Sequence, residues 1–152
     1  MKIPTALFLV LITFTACKKT KPELPVTTSN KMVGKWHIQS VTVIPRDSLG
    51  NIMHPGTTYP EPPYYYYHFN NNGTWLEVVS PDPPANPGET GNYILHADTS
   101  FGLTYAGAPA LPPVEFKIVS ISDTSFVFTR QKATLYNGVT RGYLEYIFKL
   151  YK

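Results

Sequence analysis

The chain has 152 residues, 15% of them charged, and a formal net charge of +3. Its Lys and Arg residues form no stripe along any segment, so the basic footprint of a nucleic-acid reader is missing and no nucleic-acid partner is expected. One cysteine leaves no possibility of an internal disulfide.

The chain opens MKIPTALFLVLITFTAC. A lysine, an uncharged run from Ile3 to Phe14 and two small residues, Thr15 and Ala16, precede Cys17. That order predicts a secretory leader over residues 1–16. The apolar run is well short of the roughly 20 residues that cross a bilayer as a helix. Phe14-Thr15-Ala16-Cys17 resembles the lipobox of bacterial lipoproteins. The resemblance implies that Cys17 becomes the mature N-terminus, carries diacylglycerol on sulfur and a palmitate-type chain on its amine, and holds the protein to the membrane. Several acyl chains, each contributing about 0.8 kcal/mol per buried methylene, make such an anchor permanent. Lys18 follows the cysteine where an aspartate would mark inner-membrane retention, so the analogy points to the outer membrane.

Residues 17–31 are expected to be a lipidated, flexible tether. KKTKPELPVTTSNK lacks aromatics and carries two prolines, a composition that buries no core. Lys18, Lys19 and Lys21 would meet anionic head groups. Residues 32–152 then form one domain, large enough for a single core.

Within it, short runs rich in Val, Ile, Tyr, Phe and Thr predict eight strands, at about 34–44, 64–70, 74–79, 91–97, 101–105, 114–120, 125–130 and 141–151. The connections alternate in length. PRDSLGNIMHPGTTYPEPP, SPDPPANPGET and AGAPALPP are long and QKATLYNGVT is intermediate to long; the asparagine-glycine turn after Phe69, Asp98 to Ser100, and Ile121 to Thr124 are short. In an antiparallel meander this places every long loop at one end. The fold class expected is all-β: an eight-stranded antiparallel up-and-down barrel without a C-terminal helix, with a proline-rich open mouth and a closed floor. A two-sheet β-sandwich is the alternative.

Gly34-Lys35-Trp36 at the first strand, followed in order by FNNNGTW, GNYILHADTSFGLTY, IVSISDTSFVFTR and GYLEYIFKLYK, resembles the lipocalin-like domains of bacterial lipoproteins over residues 32–152. The resemblance implies that Trp36 plugs the barrel floor and that a large first loop lids the mouth. The basic residue that stacks on such a tryptophan would have to be Lys149 or Lys152, because Arg130 and Arg141 fall at the mouth end.

The tract YYYYHFNNNGTW, 64–75, decides the candidate site. A two- or four-residue loop at Asn72-Gly73 puts Tyr65, Tyr67, Phe69, Leu76 and Val78 on one face, and Tyr64, Tyr66, His68, Trp75, Glu77 and Val79 on the other. The first set is expected inside, because His68 and Glu77 would be costly to bury unpaired. Tyr65 and Tyr67 are then either core or ligand-facing hydroxyls in an apolar pocket. Ser40 and Thr42, in phase with Trp36 and Ile38, leave room towards the mouth; a β-bulge near Gln39 would turn Val41 and Val43 inward instead.

Catalytic patterns are missing. His37, His54, His68 and His96 show no paired metal spacing, so no metal is expected. GETGNY is a turn, not a phosphate loop, and the acidic residues assemble no two-carboxylate hydrolase. Asn72-Gly73-Thr74 fits a glycosylation pattern but reads as turn chemistry. No enzyme and no cofactor are expected. The sequence points to a lipid-anchored cell-envelope protein whose barrel binds a small apolar or amphipathic ligand. The alternative is a filled barrel that meets an envelope protein or glycan through its mouth loops or outer tyrosines.

Overall fold

The computed structural model describes residues 27–81, 88–136 and 139–152. The expected leader and Cys17 lie outside these residues, as does most of the expected tether. A short helix α1, Thr28–Met32, is followed by nine strands: β1 Gly34–Asp47, β2 Thr57–Pro60, β3 Tyr66–Phe69, β4 Thr74–Val78, β5 Thr90–His96, β6 Ser100–Tyr105, β7 Val114–Ile121, β8 Ser125–Tyr136 and β9 Val139–Tyr151. All pairings are antiparallel. From β3 each strand pairs with the next, and β1 closes the ring by pairing with both β3 and β9. The protein is a closed eight-stranded antiparallel barrel, with β2 added along the upper edge of β1, beyond β3.

The eight expected strands are therefore present. β2 is hidden in the first long loop, where its four residues are all exposed and carry no alternation to read. The described residues of the seventh connection are strand rather than loop. β8 and β9 stay paired up to Tyr136 and Val139, so most of QKATLYNGVT is strand. The last expected tether residues are also structured, since α1 covers the floor with fully buried Met32.

The core is a stack of rings drawn from every wall. Trp36, Phe69, Phe101 and Phe126 are fully buried, and Phe128 is nearly so. Trp36 meets Phe126 edge-on at 5.5 Å. Phe101 stacks on Phe116 at 5.0 Å, and Phe128 on Phe148 at 4.9 Å. Aromatic pairs in such geometries add about 0.5–1.5 kcal/mol beyond burial. Trp36 does sit at the floor: its Nε1 donates to the Met32 carbonyl at 2.8 Å, and Lys152 Nζ lies 4.3 Å from its ring centre. Lys152 thus takes the basic position expected of either Lys149 or Lys152. It also donates to the carbonyls of Lys31 and Val33, tying the last residue of the chain to α1.

Two of the local irregularities decide which of the expected site residues face inward; others fall between Ile118 and Ser120 in β7 and between Thr134 and Leu135 in β8. The first is a register shift between Ile38 and Ser40, where Gln39 bulges from the β1–β9 ladder. Beyond it Val41 pairs with Phe148 and packs on the core, while Ser40 pairs with Lys149. Thr42 points outward and meets Thr58 of β2, Oγ1 to Oγ1, at 2.9 Å. Ser40 and Thr42 therefore do not line the interior, because one extra residue reverses strand phase.

The second irregularity is the β3–β4 turn. Asn70 N donates to the Thr74 carbonyl at 2.8 Å, which closes a three-residue loop, Asn71 to Gly73. Gly73 takes a positive φ of 83°, and the Asn72 carboxamide accepts from both the backbone and the hydroxyl of Thr74. An odd loop inverts the expected parity: Tyr67 lies opposite Glu77, and Phe69 opposite Trp75. Tyr65, Tyr67 and Phe69 face inward as expected. Leu76 does not: it sits on the outer face opposite His68, and Val78, opposite Tyr66 on that same face, is nonetheless buried at 9% exposure; Trp75 and Glu77 take the interior.

Candidate functional site

Above the ring stack the interior becomes polar. Glu77 enters from β4, and its Oε1 accepts the Tyr65 hydroxyl at 2.6 Å. This bond partly offsets the cost of bringing a carboxylate into the barrel. Burial first, then the hydrogen bond and the charge of Glu77, push the Tyr65 phenol well above its ordinary range. Tyr67, deeper and 8% exposed, is pushed up by burial and then by the Glu77 charge. Both hydroxyls therefore stay protonated at any physiological pH, and Tyr65 remains a donor to Glu77.

Trp75 fixes the neighbouring wall. Its indole passes over Gly91 in β5, and Nε1 donates to the Thr104 carbonyl in β6 at 3.0 Å. Its ring also meets Tyr105 edge-on at 5.2 Å. Arg130 arrives from β8, two residues beyond Phe128 and so on the same inward face, with its guanidinium 5.9 Å from the Phe116 ring centre. Pairing between β7 and β8 stops at Lys117 and Thr129, so Arg130 stands where the wall opens.

These groups surround a cleft of about 760 Å³ at the mouth, whose lining includes Glu77, Glu89, Tyr105, Val114, Arg130 and Leu111. The Tyr105 phenol is pushed up, mainly by burial and then by Glu89, with Arg130 opposing and Glu77 adding to the rise. One hydroxyl thus senses all three charges. Among the described residues Arg130 makes no ion pair and donates no hydrogen bond; it meets the Phe116 ring and acts on Tyr105 through its charge. A second cleft of about 720 Å³ lies on the outer side of the same opening and also reaches Arg130.

Of the residues expected to line a ligand site, Tyr65 and Tyr67 come together around Glu77, and Phe69 sits deeper as core. Tyr65 borders the polar zone and Tyr67 lies among the rings of Phe69, Trp75 and Phe128. Glu77 and Tyr105 are site residues that the strand pattern does not reveal. A signal for Glu77 does exist in the turn: glycine as the third residue of a hairpin loop marks the type I turn with a left-handed bulge, which sets odd parity.

The outer tyrosines divide. Tyr66 lies under Lys35 Nζ at 3.9 Å and beside His37, which stacks on Tyr151 at 5.5 Å. Tyr64 is 39% exposed. The described residues include no group of three or more His, Cys, Asp or Glu placed to hold a metal, and no helix long and apolar enough to cross a membrane.

No protein-family model matches the chain, and no curated protein is significantly similar to it. The closed eight-stranded antiparallel barrel is consistent with a lipocalin-like fold.

Proposed function

We propose that the protein is a lipid-anchored component of the cell envelope, held at the outer membrane through acylated Cys17, and that its barrel mouth binds a small amphipathic molecule without chemical turnover. One observation carries the binding half of this reading: a cleft of about 760 Å³ in which charged groups and a tyrosine meet apolar Val114 and Leu111. Pockets that fix small molecules combine apolar walls with a few convergent polar groups in this way. The rings below fill the lower barrel, which favours a shallow, amphipathic occupant over a long apolar chain drawn into the core. The anchoring half rests on the leader and Cys17.

Native mass spectrometry of residues 27–152, purified gently after envelope-targeted expression, tests the binding. A discrete added mass that vanishes on denaturation is expected. A clean apo mass after exposure to an envelope extract removes the ligand reading. Labelling with an alkynyl palmitate tests the anchor; the Cys17→Ala chain is expected to lose both label and membrane fraction, and a labelled variant overturns it.

A second reading, docking of an envelope protein, is favoured by the first mouth loop. Leu49 is 86% exposed, and Ile52, Met53 and Tyr59 are all more than half exposed. Clustered exposed apolar side chains mark interaction surfaces.

A further inference from the structure

We infer that the mouth cleft takes a small zwitterion, its ammonium held by Glu77 and Glu89 and its anionic group by Arg130, with a short apolar body against Val114 and Leu111. This inference rests on the mouth being a ligand site and names the class of ligand.

The reasoning starts from charges that do not pair. Glu77 and Arg130 line the same cleft, yet they form no ion pair. Glu77 has its Oε1 engaged by Tyr65, which directs the carboxylate rather than neutralising it. Arg130 has a ring beneath it and no acceptor among the described residues. A guanidinium is a five-donor fork shaped for carboxylate or phosphate oxygens, so one facing a cleft without an acceptor is suited to a ligand anion. A purely anionic ligand would meet Glu77 and Glu89 as well, and like charges disfavour it. A purely cationic ligand would leave Arg130 unmatched. A molecule carrying both charges satisfies both walls. The site also selects against singly charged analogues, because each leaves one partner desolvated and unpaired.

The same pair of charges occurs on free amino acids or short peptides and on ethanolamine phospholipid head groups. Isothermal titration on residues 18–152, which keep the whole closed barrel, separates these sources. The probes are leucyl-leucine, its N-acetyl form, its C-amide form, dihexanoyl phosphatidylethanolamine below its micellar concentration, and neutral N-phenyl-1-naphthylamine read by fluorescence. Binding of the dipeptide, weakened about tenfold or more by either cap, supports the inference with a peptide-like source. Binding of the phospholipid alone, lost in Arg130→Met and in Glu77→Gln, supports it with a head-group source. Glu77→Gln keeps an acceptor for Tyr65 and Arg130→Met keeps an apolar stem near Phe116; near-ultraviolet circular dichroism checks that both fold. The capped probes provide the same comparison with no substitution at all. Equal binding of capped and uncapped dipeptide, or of the neutral probe alone, overturns the zwitterion while leaving a mouth ligand site standing. Silence from every probe, the neutral one included, overturns both.

Discussion

At Gly91 the barrel wall has no volume for a side chain. A Cβ there would overlap the Thr104 carbonyl oxygen and come within 2.9 Å of Trp75 Nε1, the two ends of the hydrogen bond that pins the indole. Gly91→Ala is expected to lower stability by about 2 kcal/mol, as forced overpacking does, and to perturb the near-ultraviolet signal of Trp75. Gly107 is the control, since a Cβ added there would meet nothing within 4 Å; its alanine variant should stay within about 0.5 kcal/mol in urea unfolding. Tyr65 gives a second residue-scale prediction, in pH. Its phenol is raised in the folded state, chiefly by burial and then by Glu77, so the folded chain holds that proton more tightly than the unfolded one. The stability this contributes is complete below the unfolded value near 10 and declines as pH climbs above it. Urea midpoints should therefore fall from about pH 10 upward, and Tyr65→Phe should flatten that fall. An unchanged slope in the variant would remove Tyr65 as its source.

The β1 bulge and the β3–β4 turn place the interior residues of β1 and β4, and each is testable by charge. Val41 packs on the core because Gln39 bulges, whereas Thr42 and Leu76 face outward. A lysine can lay its stem along an outer wall with its ammonium in water, so Thr42→Lys and Leu76→Lys should each cost about 1 kcal/mol or less. Val41→Lys brings an unpaired charge into the ring stack and should abolish the cooperative transition in urea. Gly73, at φ 83°, should cost about 1 kcal/mol as alanine, the penalty for a left-handed residue with a Cβ. The strands, the closed floor and the end bearing most long loops are legible in the sequence because alternation and turn residues act locally. Trp36, Tyr65, Tyr67 and Phe69 are legible as inward residues for the same reason, being in phase with a strand start or with each other. Phase across a turn or bulge depends on one residue more or less, and no periodicity within a strand reports it. That is why an unbulged β1 and an even β3–β4 loop put Ser40, Thr42 and Leu76 inward and Glu77 outward, against the structure. The union of Glu77, Tyr105 and Arg130 is tertiary, drawn from β4, β6 and β8, and no spacing along the chain encodes it.

On the scale of the whole molecule, the two ends of the described domain close the floor together. Met32 plugs it from α1, the Met32 carbonyl takes the Trp36 indole proton, and Lys152 bridges back to Lys31 and Val33. The floor is thus a joint between the start and the finish of the fold, and every strand that meets there depends on it. The chain before Thr27 joins at this end, so under the proposed anchoring the cleft opens away from the membrane. Removing residues 27–32 would uncover the Trp36 ring and leave its Nε1 without the Met32 carbonyl. A chain of residues 33–152 should therefore lose about 3 kcal/mol or more against residues 27–152, and Met32→Ala about 2–3 kcal/mol, both read from urea unfolding. The cleft lies at the other end of the barrel, so a Met32→Ala chain that remains folded should keep the probe affinity of the unaltered protein. A parallel loss of binding would mean that the floor and the mouth are coupled through the ring stack from Trp36 by way of Phe126 and Phe128 to Phe116, on which Arg130 rests.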